Sequence, residues 1–210
     1  MSTSKDPYNM RDNLILIGFI LLKFIIQYSL IGPEYELQRD EFLHLDQANH
    51  LAWGYTSVPP VTSWISFLIQ LLGISVFWIK FFPALFGALT IFVVWRTIEE
   101  LKGNLFALLL GASCVTFSVL FRLNILYQPN SLDVLCWTVS YSFFIKYLQD
   151  QQGKWLYALA VTFAIGFLNK YNIAFLLLGM LPAIIASREW KIFTDRRLYY
   201  SMAMAFILIL

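Results

Sequence analysis

Residues 14–31 read LILIGFILLKFIIQYSLI, an apolar run broken by one charge, Lys23. Crossing the hydrocarbon core of a bilayer takes about 20 mostly apolar residues in a helix. In lipid the backbone polar groups have to be satisfied within that helix. The run is long for the apolar part of a cleaved leader, and Gly32-Pro33-Glu34 behind it is a poor cleavage site. Residues 14–31 are therefore read as an uncleaved first span, preceded by a polar tail at 1–13. Similar runs follow at 76–98, 104–120, 131–148, 155–168 and 173–186, and another starts at 198. Residues 61–72 follow Pro59-Pro60 and are too short to span, so they are expected to lie on or dip into the interface. The predicted fold class is all-α. It is a polytopic transmembrane helix bundle of about six to seven spans over residues 14–210, with interfacial helices in a first external loop at about 32–75.

Composition agrees. Of 210 residues, 59% are hydrophobic, 18% aromatic and 13% charged, against about 25% charged in a soluble domain. The net charge of +2 gives no reason to invoke nucleic acid. Cys114 and Cys136 sit in apolar runs without metal-binding or redox spacing, and both read as packing residues.

Charge placement orients the bundle. Lys5 and Arg11 precede the first span, and Arg96 and Lys102 follow the second. Lys146 and Lys154 follow the fourth, and Arg188, Lys191, Arg196 and Arg197 follow the sixth. All fall on one side, which the positive-inside rule makes cytoplasmic, with the N-terminus there too. The opposite side receives the loops at 32–60, 121–130 and 169–172. The first carries Glu34, Glu36, Asp40, Glu41 and Asp46, five of the chain's 13 acids.

From Tyr35 to Trp53 the first loop is amphipathic at helical spacing. Leu37, Phe42, Leu45, Ala48 and Leu51 fall on one face and Asp40, His44 and Gln47 on another. Trp53-Gly54-Tyr55 is expected to end the helix. A carboxylate on such a surface helix can take the proton of an attacking hydroxyl. Lys170 and Arg122, on the other external loops, can hold a departing phosphate. These are the elements of sugar transfer from a lipid-linked donor. His44 and His50 are read as surface residues, His44 as a contact for the acceptor. No metal is assigned, since His44, Asp46 and His50 lack the spacing of a ligand set.

The stretch RDEFLHLDQANHLAWGYTSVPPVTSW resembles the first external loop of the polytopic GT-C glycosyltransferases, in particular the protein-mannosyltransferase-like group. That group takes in glycosyltransferase family 39, the lipid A aminoarabinose transferases and the rhizobial galacturonosyltransferases. The Asp40-Glu41 pair, the Pro59-Pro60 corner, the QPNSLD run ending at Asp133 and the GFLNKYN run holding Lys170 carry the likeness, which extends over nearly the whole chain. The resemblance implies a polyprenyl-phosphate-linked sugar as donor and a lipid, glycan or protein as acceptor. It also implies inversion at the anomeric carbon and a bacterial inner-membrane setting. Asp40 and Asp133 would be the catalytic acids, with Glu41, His44, Lys170 and Arg122 binding substrate. Relatives often have a basic residue before Pro-Pro where this chain has Val58. They also continue beyond the apolar run in which this chain ends, so a chain truncated at its C-terminus is expected.

Other readings stand beside these. Asp40 and Glu41 also fit a solvated helix face, Asp133 a favourable charge near a helix N-terminus, Lys170 a snorkelling lysine and Arg122 an interface anchor. Trp53, Tyr55 and Trp64 suit an aromatic belt better than sugar stacking. The rival function is a transporter or lipid flippase, for which Lys23, inside the first span, is the chief argument. A scaffold is the third.

Overall fold

The computed structural model describes residues 10–32, 37–56 and 58–210. Lys5, Glu34, Tyr35 and Glu36 lie outside them. Ten α-helices follow in order: α1 (Met10–Ser29), α2 (Arg39–Asp46), α3 (Val61–Leu71), α4 (Val76–Glu100) and α5 (Leu105–Thr116). Then come α6 (Val119–Leu123), α7 (Pro129–Asp150), α8 (Gly153–Asn169), α9 (Ala174–Ala186) and α10 (Arg196–Ile209). Single 3-10 turns cover Gln47–His50, Tyr171–Ile173 and Trp190–Thr194. No strand occurs among the described residues, and the all-α expectation holds. Among the described residues two helices, α1 and α4, are long and apolar enough to cross a membrane.

The helices pack in the row α1–α4–α7–α8–α10, with α5 against α4 and α1. On α4 the small residues Ala84, Gly87 and Ala88 are buried together. Small residues let helix backbones approach closely where lipid offers no hydrophobic drive to association. Gly87 is needed for another reason: a Cβ there would strike Asn124 and Lys23. Leu16, Ile91, Trp95, Leu108 and Ala112 form one apolar core between α1, α4 and α5. A second core joins α3, α7 and α9 through Val61, Leu135, Cys136, Ile173 and Leu176. Large apolar side chains such as Leu14, Ile25, Phe175 and Phe206 face outward, as a lipid-solvated surface requires.

Hydrogen bonds between helix ends define the two poles of the bundle. At one pole Arg96 donates to Asn13 at 2.7 Å, Gln149 to the carbonyl of Glu100 at 3.4 Å, and Arg197 to the carbonyl of Gln151 at 3.0 Å. Tyr147 donates to Asp195 there at 2.8 Å. The basic loops thus gather at one end. At the other pole meet α2, α3 and the segments at 124–130 and 169–172.

The third apolar run, expected as one helix over 104–120, breaks instead. α5 ends at Thr116, and the Ser118 side chain accepts from the amide of Leu120 to start α6. A serine oxygen competing for backbone N–H favours such a restart over continuous helix. The first-loop helix is also shorter than expected. It ends with the 3-10 turn at His50, before Trp53.

Its facing departs from expectation in part: Leu37 and Leu45 pack against Ile69, Ile79 and Tyr127 and Ala48 is buried, as the spacing implied, but the polar edge turns inward too. Glu41, His44 and Gln47 are buried, while Phe42, Leu43 and Leu51 are exposed. Glu41 is the reason. One carboxylate oxygen accepts from Lys80 Nζ at 2.6 Å and from the Tyr127 amide at 2.7 Å. The other accepts from the Gln38 amide at 2.9 Å, half of a capping box that starts α2. Satisfying this carboxylate turns the polar edge of α2 inward. His44, one turn on, is carried in with it against the edge of the Tyr127 ring and bonds Gln47 at 3.3 Å. His44 is therefore not the surface residue the sequence suggested.

Removing one partner from a buried ion pair typically costs about 3–5 kcal/mol. Glu41→Ala is expected to lower stability by that order and Glu41→Leu combined with Lys80→Met to recover much of it, read as thermal midpoints of the detergent-purified protein. Midpoints within a degree or so of wild type for the single variant would show that the pair does not anchor α2. Burial also holds the His44 imidazole below its ordinary range, against the opposing pull of its bond to Gln47 and of the Asp40 and Glu41 charges. The unfolded chain then binds a proton first as pH falls below about 6.5, so stability should decline from there toward the depressed folded value. His44→Gln should flatten that decline. An unchanged slope would mean that another group causes it.

Candidate functional site

Asp40 is the residue of the acidic pair that stays open. It lies next to Glu41 on the first turn of α2, and its side chain is 44% exposed. One oxygen lies 3.4 Å from the fully solvated Arg39, a contact worth little. The other accepts from Gln128 Nε2 at 3.0 Å. Gln128 is the N-cap residue of α7, with Pro129 at the first helical position, where a missing N–H costs nothing.

From Gln128 the contacts continue. Its side-chain oxygen accepts from Asn130 at 3.0 Å, and the Asn130 oxygen accepts from Lys170 Nζ at 2.8 Å. Two amide side chains thus join a half-open carboxylate on α2 to an ammonium beyond the end of α8. Lys170 itself is in extended conformation between α8 and the 3-10 turn. Asn169 beside it donates to the carbonyl of Pro129 at 2.8 Å and accepts from Thr62 at 3.3 Å. Lys170 is therefore fixed by α7 on one side and α3 on the other.

Asp133 lies one turn into α7 from Asn130 and is 7% exposed. One of its oxygens accepts from Asn172 Nδ2 at 3.0 Å. Its neighbours are Lys170, whose charge acts on it, and Trp137, one turn further along the same face.

The expected site residues separate into groups. Asp40, Asp133 and Lys170 come together at one pole. His44 is buried one turn behind them. Glu41 has both oxygens committed to Lys80 and to backbone amides, so none is open to a substrate in this geometry. Arg122 stands exposed on α6, outside this hydrogen-bonded set. Lys23 donates to Gln27 at 2.8 Å and lies 5.5 Å from the Phe121 ring centre. Gln27 in turn donates to the carbonyl of Asn124 at 2.6 Å.

Sequence reasoning passed over Gln128, Asn130, Asn172 and Lys80. The first three sat inside the QPNSLD and GFLNKYN runs, where amide side chains clustered beside the acid and the lysine were the available signal. Lys80 showed as a lysine in the second turn of an apolar helix facing an acidic loop.

The arrangement can take a proton at Asp40 and hold negative charge at Lys170. Among the described residues no three His, Cys, Asp or Glu side chains converge as a metal site. Against known families, residues 57–210 match the model for dolichyl-phosphate-mannose-protein mannosyltransferase. The match includes Gln128, Asn130, Asp133, Lys170 and Asn172, and α2 precedes it. No curated protein and no solved structure matches the chain. With nearly three quarters of its length matched, the chain belongs to the dolichyl-phosphate-mannose-protein mannosyltransferase family of GT-C-type membrane glycosyltransferases.

Proposed function

We propose that the protein moves a sugar from a polyprenyl-phosphate-linked donor to a lipid, glycan or protein acceptor on the non-cytoplasmic side of the membrane, with inversion. The observation that carries this is the run Asp40–Gln128–Asn130–Lys170, which places an accessible carboxylate and a fixed cation at the same pole. In this reading the acceptor oxygen attacks the anomeric carbon as Asp40 takes its proton. The bond from that carbon to the phosphate oxygen breaks, and the polyprenyl phosphate leaves with the electron pair. Lys170 stabilises the charge that develops there. Asp133, buried beside Lys170, is the second acid in this reading. The basic pole faces the cytoplasm together with the N-terminal tail, residues 14–210 form the transmembrane domain, and a bacterial inner membrane is the proposed location. Lys23 favours the transporter reading less than it did, because its contacts are an amide and an aromatic ring.

General-base catalysis contributes roughly a hundred- to ten-thousandfold. Asp40→Asn should therefore lower transfer from radiolabelled polyprenyl-phosphate sugars by at least the smaller factor while leaving membrane insertion intact. Wild-type turnover by this variant would remove Asp40 from the chemistry. The orientation is tested separately. A cysteine at the exposed Gln38 should react with an impermeant thiol reagent from the non-cytoplasmic side only, and labelling from the cytoplasmic side would reverse the topology.

A further inference from the structure

His44 is buried at the pole that carries Asp40, yet the transfer chemistry gives it no part. It is 4% exposed, and its Nδ1 lies 3.3 Å from the side-chain oxygen of Gln47. An amide oxygen only accepts, so Nδ1 carries the hydrogen of the neutral imidazole and Nε2 keeps its lone pair. Among the described residues Nε2 has no hydrogen-bond partner. Protonation therefore adds a charge and a new N–H donor at Nε2, where little water reaches.

The groups around the ring decide where that donor turns. Glu41 has both oxygens committed to Lys80 and to the Tyr127 and Gln38 amides. The Tyr127 hydroxyl is shared between the Thr62 carbonyl and Ser66. The helix α3, packed against α2, brings no titratable side chain. Asp46 lies about 200° around the helix from His44 and bonds Asn49 at 3.3 Å, and His50 is exposed. Asp40 remains. It stands four residues before His44, so the two share a helix face. Helical side chains lean toward the N-terminus, which tips the imidazole over the Asp40 turn. The Asp40 charge already acts on the ring. We propose that His44 is a positioning residue for Asp40: neutral, it leaves Asp40 on Gln128, and protonated, it draws Asp40 off Gln128 into a pair with the imidazolium. The inference rests on the glycosyl-transfer reading and adds a condition to it. A carboxylate paired with a cation is a poorer base. Once Asp40 leaves Gln128, the run to Asn130 and Lys170 is cut at its first bond. Transfer then needs a neutral His44. Burial holds this imidazole below its ordinary range, so the condition is met at pH 7 and fails as the medium turns acid.

The test is the pH profile of kcat/KM for lipid-phosphate release from polyprenyl-phosphate mannose, with the full chain in membranes and each variant referred to its own rate at pH 7.5. An ordinary carboxylate, titrating near 4, accounts for a loss of only about a tenth at pH 5. Wild type should lose roughly half or more of its rate by pH 5 and regain it on return to pH 7.5. His44→Gln, which cannot take the proton, should hold its rate to pH 5. A His44 that only supports the fold would lower the rate of that variant at every pH and leave the shape of the profile alone. A wild-type profile flat to pH 5 overturns the inference and leaves glycosyl transfer standing, and it needs no variant that folds. Superimposable profiles for wild type and His44→Gln overturn it too, as they would if a water took the Nε2 proton and left Asp40 in place. No release at any pH removes both readings.

Discussion

The buried contact between Glu41 and Lys80 sets the geometry of the whole non-basic pole. An ion pair withdrawn from water repays its desolvation only when the remaining lone pairs are satisfied. Here they are, by the Tyr127 and Gln38 amides. The carboxylate therefore ties three separate pieces of chain together: the capped start of α2, the second turn of α4 and the segment before α7. Tyr127 extends the tie. Its hydroxyl bonds the carbonyl of Thr62 and the Ser66 side chain, each at 2.8 Å, which seats α3. Burial raises the Tyr127 phenol above its usual range, so it stays a neutral donor. From Thr62 the contacts pass to Asn169 and so to Lys170.

This explains why two adjacent acids have unlike surroundings. Glu41 and Asp40 are neighbours in sequence but about 100° apart around a helix of 3.6 residues per turn. Once Glu41 is drawn into the bundle, Asp40 is left at its rim, beside Gln128 instead of Lys80. The buried acid holds the helix still and the open one is available for chemistry. A position held within a fraction of an ångström is what a proton-accepting carboxylate needs. Conformational freedom in α2 would scatter Asp40 relative to Lys170, which is anchored on different helices.

The sequence made the helices legible because apolar length is a strong signal and lipid leaves few alternatives to helix. It also brought out Asp40, Asp133 and Lys170, since charges in so apolar a chain are conspicuous. The facing of α2 was not legible. The spacing of Leu37, Phe42 and Leu45 showed that two faces exist, but it was silent on the fact that both meet protein, Leu37 and Leu45 on one and Glu41 and His44 on the other. In a bundle whose outside is lipid, a polar edge can be the inner one, as Glu41, His44 and Gln47 demonstrate. The break at Ser118 was equally hidden, because residues 104–120 are apolar on both sides of it and only a side-chain bond to the backbone marks the restart. Partners also escaped notice. Lys80 is an ordinary letter until α4 and α2 are laid side by side, whereas Gln27 stands one turn from Lys23 on the same helix, a spacing that already offers the polar contact they make.

The same logic bears on Lys23. A lysine inside an apolar helix is costly unless its ammonium has acceptors, and Gln27 provides one while itself donating to the Asn124 carbonyl. Gly87 leaves the room in which Lys23 and Asn124 meet. That carbonyl belongs to the turn between α6 and Tyr127, so the Lys23 cluster braces from the α1 side the segment that Glu41 holds from the α2 side. Two buried polar clusters thus converge on residues 124–127, directly ahead of Gln128, Asn130 and Asp133. A charge that looked like a transport element in the isolated sequence acts in the fold as a second clamp on the segment that presents the α7 side of the site.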